Sequence, residues 1–160
     1  MGVSDRPRIG ISSCLLGEKV RWDGRDKRNA SIVDVLGARV EWMPVCPEVE
    51  AGLGTPREPI ELVEIGGRTR MLTVESRRDL TGLMTGCSRD RIDGLAAAGI
   101  SGYVLKKKSP SCDPDRGLFA RALKARLPEL PVEDEERLQD PDVQASFLER
   151  AQAYGRGHHV

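Results

Sequence analysis

The sequence predicts an α/β fold: a mostly parallel sheet with helices on both faces and a small hairpin. Three observations predict it. Short runs rich in β-formers alternate with segments of helical periodicity, the pattern of parallel βαβ units. Three of those runs, residues 8–13, 39–45 and 100–105, are separated by stretches long enough for crossover connections. A fourth β-rich stretch, residues 60–74, is split by Gly66-Gly67, a hairpin signal.

Residues 8–13, RIGISS, read as a strand running straight into Cys14. Asp23-Gly24 marks a turn. Residues 29–36 carry apolar side chains at helical spacing and predict a helix closed near Gly37. Residues 39–45 form a second strand ending at Cys46. The next thirteen residues, 47–59, hold three prolines and two glycines, so a loop is predicted there. Residues 80–98 are helical in pattern, with Gly99 placed to terminate the helix. Residues 100–105 form the third strand, which leads through 106–111 into Cys112. A helix over 117–127 stops at Pro128. Residues 129–140 are acidic and predicted to be mostly exposed. Asp140-Pro141 then opens a last helix reaching about Tyr154. The chain divides into an α/β domain, residues 1–127, and a C-terminal acidic segment and helix, 128–160.

Composition narrows the function classes. The 160 residues are 39% hydrophobic and 31% charged, with 25 basic against 25 acidic side chains. A net charge of zero supplies no global field toward duplex nucleic acid or an anionic membrane. No apolar stretch approaches the roughly 20 residues of a membrane span. The polar start of the chain lacks a signal-peptide core, so a cytoplasmic location is expected.

The four cysteines, Cys14, Cys46, Cys87 and Cys112, contain no CxxC pair. That argues against a zinc ribbon, a thioredoxin-type site and a ferredoxin-type run. Disulfides are rare in a reducing compartment, which raises the weight of metal binding or catalysis. Cys14, Cys46 and Cys112 each lie at or just past the C-terminal end of a predicted strand. In an open parallel sheet those ends face one crevice, where ligands bind. Three convergent thiols suit a soft centre: an iron–sulfur cluster, zinc or Cu(I). A cubane cluster normally takes four protein ligands, so three would leave one iron open. The alternative is that the three thiols simply pack in the core. Cys87, on the predicted helix and away from any strand end, reads as packing.

The flanks of the cysteines resemble a known family. The elements are SxCLLGxxVRWDG around Cys14, PVCPEVExGLxTPRxP around Cys46, and LKxxSPSC ending at Cys112. In this order, and spanning about residues 8–119, they are similar to the bacterial domain-of-unknown-function 523 family, which includes a thiouracil desulfurase. The resemblance implies a Rossmann-like fold and a [4Fe-4S] cluster on Cys14, Cys46 and Cys112. It implies an open iron that binds a thiocarbonyl sulfur as a Lewis acid. It maps the catalytic acid/base to Glu48 and a catalytic serine to Ser109. The implied reaction is non-redox desulfuration of a small thiolated nucleobase, nucleoside or related thiocarbonyl. The rival class is an iron–sulfur or zinc module without turnover. Residues alone leave Glu48 as a loop carboxylate and Ser109 and Ser111 as turn formers. Arg21, Asp23 and Arg57 lie in the motifs without an assigned role. The basic run Lys106–Lys108 is a solvated stretch or an anion contact. One departure from the pattern is Asp113-Pro114 after the last cysteine, where the family carries glycine. Larger family members carry an extra helical domain, so a homodimer or a separate helical partner is expected in its place.

Overall fold

A computed structural model describes residues 6–158. Strands β1 (Arg8–Ser12), β2 (Glu41–Val45), β5 (Gly102–Leu105) and β6 (Val132–Asp134) form a central four-stranded parallel sheet in the order β2-β1-β5-β6. Strands β3 (Ile60–Ile65) and β4 (Arg68–Thr73) form a separate antiparallel hairpin, with Gly66 and Gly67 at positive φ in its turn. That conformation favours glycine.

Period-two alternation explains how the sheet is covered. Ile9, Ile11 and Val104 face one layer, built by the segment around Ile32 and Leu36 and by α4 (Pro141–His158) through Phe147 and Ala151. Tyr103 and Leu105 face the other layer, built by α2 (Thr81–Ala97) through Ile92 and Leu95 and by α3 (Leu118–Arg126) through Phe119 and Leu123. Each such side chain, once buried, contributes about 1.5–3 kcal/mol. Gly10 is required on β1. A Cβ there would lie 2.4 Å from the Tyr103 ring, which crosses the strand at that point. Pro44 lies in β2, an edge strand, where a missing N–H costs no ladder bond.

The expected strands and the hairpin are present, and so are the helices near 80–98, 117–127 and 141–154. Three expectations are corrected. Residues 29–36 do not form an α-helix; Ser31–Val35 is a π-helical turn followed by a 3₁₀ turn at Leu36–Ala38. The β-branched Ile32, Val33 and Val35 weaken helix formation there. The predicted loop after Cys46 begins with one helical turn, α1 (Pro47–Glu50), with Pro47 at its first position. The acidic segment 129–140 is not mostly exposed. It supplies β6, which pairs with β5, and Glu133, Asp134 and Glu135 are buried. Asp134 accepts the backbone N–H groups of Glu136 and Arg137, both at 2.9 Å. Glu133 pairs with Arg137 at 2.7 Å and Arg150 at 3.0 Å, and Glu135 pairs with Lys106 at 3.3 Å.

The order places a reversal of direction beside β1. The chain passes from β1 to β2 on one side, then crosses to β5 on the other. Crevices at such switch points, beyond the strand C-termini, are where open α/β sheets bind ligands.

Candidate active site

The crevice is a cavity of about 190 Å³ lined by Cys14, Cys46 and Cys112 together with Glu48, Ser109 and Ser111. Each comes from a segment leaving a strand end. Cys14 sits in the 3₁₀ turn Ser13–Leu16 after β1, closed by Gly17 at φ 99°. The Cys14 carbonyl accepts the N–H of Lys27 at 2.9 Å, which folds the following loop back over the turn. Cys46 is the N-cap of α1, and its N–H donates to Glu50 Oε2 at 3.1 Å. Arg91 Nε holds the other Glu50 oxygen at 2.9 Å. Cys112 follows β5 on a serine turn. The Ser109 hydroxyl accepts the N–H groups of Ser111 at 3.2 Å and Cys112 at 3.0 Å.

The three thiols perturb one another. Burial pushes Cys14 up to about 11, opposed by the Lys106 ammonium and reinforced by Cys46. Burial also raises Cys46, with Glu48 adding to it. Cys112 is raised furthest, by burial first and then by Glu48, Cys46 and Cys14. Desolvation disfavours a thiolate without a positive partner, so this pocket prefers its sulfurs protonated until a cation arrives. Among the described residues no three His, Cys, Asp or Glu side chains gather tightly enough to hold a single metal ion. Three soft sulfur donors lining one cavity suit a thiophilic metal group.

Glu48 projects from α1 into this cavity and is only 8% exposed. Its Oε1 accepts from Arg57 Nε at 3.1 Å and Nη2 at 2.6 Å. Its Oε2 accepts from Ser111 Oγ at 2.9 Å. Arg57 also donates through Nη1 to the carbonyls of Val20 at 2.9 Å and Gly54 at 2.8 Å. One guanidinium therefore ties the loop after Cys14, the loop after Cys46 and the carboxylate together. The five-donor fork of arginine is suited to that task.

The structure thus brings together all five residues singled out above: Cys14, Cys46, Cys112, Glu48 and Ser109. Cys87 lies on α2, outside the cavity. Arg21 lines the cavity and pairs with Asp23 at 3.4 Å. The basic run divides. Lys106 and Lys108 line the cavity, while Lys107 pairs with Glu136 at 4.0 Å. Sequence reasoning left Ser111 and Ser12 without a place in the site. Ser111 lies one residue before Cys112 and resembles any turn serine, and nothing local announces its carboxylate partner 63 residues away.

Comparison with known proteins settles the family. The 2-thiouracil desulfurase family model matches residues 9–135. The chain belongs to the 2-thiouracil desulfurase family. The match runs from within β1 to just past β6 and includes Cys14, Cys46 and Cys112. Among solved structures, the fold is similar to the [4Fe-4S]-dependent thiouracil desulfidase TudS. The TM-score is 0.72 at 30% identity, covering 88% of this chain and 97% of that one. Among curated proteins, the uncharacterized protein YbbK of Bacillus subtilis (strain 168) is 29% identical over 109 residues, 65% of this chain and 72% of its own. Among the described residues no helix is long and apolar enough to cross a membrane.

Proposed function

We propose that this desulfurase-family chain removes sulfur from a small thiolated nucleobase, nucleoside or related thiocarbonyl, using a [4Fe-4S] cluster held by Cys14, Cys46 and Cys112. The observation that carries the reading is the meeting of three strand-end thiols and a buried carboxylate in one cavity. The donor set fits the group: three soft sulfur ligands distributed around about 190 Å³, with no fourth cysteine lining it. When bound, the cluster would supply an iron lacking a protein ligand, a Lewis acid toward the substrate sulfur.

The chain's own residues then serve a hydrolytic exchange. Water adds to the thiolated carbon, the carbon–sulfur bond breaks, and the substrate becomes a carbonyl as the sulfur departs as hydrogen sulfide carrying both protons of the water. No electrons are gained or lost overall. Glu48 is the general base for the water and returns the proton to the departing sulfur. Arg57 fixes Oε1, so the proton traffic uses Oε2, where Ser111 already donates. The Ser109 oxygen is engaged by two backbone N–H groups, which orients its own proton to donate toward water or substrate.

The test is turnover of thiouracil by anaerobically reconstituted protein, with uracil and sulfide both quantified. The proposal predicts equal amounts of the two, and a loss of turnover in Glu48→Gln with iron content retained. A full cluster with no turnover on any thiocarbonyl would favour a binding module instead.

A further inference from the structure

Ser12 ends β1 at the N-cap of the 3₁₀ turn that carries Cys14. Serine at an N-cap usually spends its hydroxyl on a free N–H of the first turn. Here it makes no such bond. The residue is 3% exposed, its Oγ has no hydrogen-bond partner in good geometry, and it lines the cavity of the three thiols. Strand alternation turns Ser12 to the same face of the sheet as Tyr103 and Cys112. A buried hydroxyl left unsatisfied is costly, so native structures rarely keep one without a use.

We propose that the Ser12 hydroxyl is a positioning donor for the bound cluster, directed at the sulfur of Cys112. This rests on the cluster reading above. A neutral O–H aimed at an anionic thiolate gains a charge-assisted hydrogen bond that the protonated thiol does not offer. Such bonds remove electron density from the sulfur and raise the reduction potential of an iron–sulfur centre. Ser12 would thus act on the acidity of the iron through its ligand, without touching substrate.

The experiment uses the anaerobically reconstituted full chain and compares wild type with S12A, S12T and S12V by iron count and electrochemical midpoint potential. S12T and S12V share a shape and differ chiefly in the hydroxyl, so their comparison isolates the donor even if S12A folds poorly. The proposal predicts about four irons in each variant, a potential in S12T close to wild type, and more negative potentials in S12A and S12V. Equal potentials in S12T and S12V would overturn it while leaving the cluster reading intact. A wild-type chain that binds no cluster would overturn both.

Discussion

Ser111 Oγ donates to Glu48 Oε2 at 2.9 Å inside the cavity of the three cysteines. The pair links the segment leaving β5 to the helical turn after β2. Replacing Ser111 by Ala should lower kcat about ten-fold, because Glu48 then loses the donor that orients its Oε2. Glu48→Gln should cost at least about 10²-fold, the usual range for a general base. Iron content should be unchanged in both. Steady-state kinetics with thiouracil, beside an iron assay, separates these outcomes. A Ser111→Ala loss as deep as that of Glu48→Gln would mean that the serine does chemistry of its own.

Arg57 and Glu48 form an ion pair whose side chains are 9% and 10% exposed. Removing one partner strands a charge in a buried site, at a cost of about 3–5 kcal/mol. Arg57→Ala should therefore be strongly destabilised in urea unfolding. The double variant R57A/E48Q should regain part of that loss, since the carboxylate charge is gone. Additive effects of the two changes would contradict the pairing.

Gly117 is held close to the cysteine turn. A Cβ there would lie 2.3 Å from the Ser111 carbonyl oxygen and 2.6 Å from the Asp113 amide nitrogen. These are backbone atoms and cannot rotate away. Gly117→Ala should shift the segment that carries Cys112, cost about 1–3 kcal/mol, and shorten cluster retention. Iron release to a chelator measures the second effect.

The metal-free protein should lose stability above pH 9. Cys14 is raised from 9.0 to about 11, and Cys46 and Cys112 are raised as well. Below pH 9 both folded and unfolded chains keep these protons and the thiols contribute no pH dependence. Between pH 9 and about 11 the unfolded chain releases protons that the folded one retains, so stability falls as pH rises. Cys14→Ser should flatten part of the fall. Thermal melts across this range test it. Metal loading runs the other way, since it expels the thiol protons and is favoured by higher pH.

Much of this site was legible because it sits where strands stop. The runs into Cys14, Cys46 and Cys112 are short, β-rich and clearly bounded, and parallel topology makes their ends converge. The features that were not legible depend on partners distant in the chain. Strand β6 carries Glu133 and Asp134, residues that β-strands disfavour. It is stabilised by pairing with β5 and by Arg150, which no local pattern announces. The turn α1 was hidden by a proline- and glycine-rich stretch, although Pro47 is well placed to open a helix. The serines divided in the same way. Ser109 makes a local turn, as its neighbours suggest, whereas the bond from Ser111 to Glu48 exists only in the fold.

The most direct test of the central claim is anaerobic reconstitution with iron and sulfide, followed by an iron count and visible spectrum of wild type and Cys112→Ala. The account predicts about four irons and a broad cluster absorption in wild type, both lost in the variant. Wild-type protein that binds no iron, or iron binding indifferent to Cys112, would contradict it and return the three cysteines to a packing role.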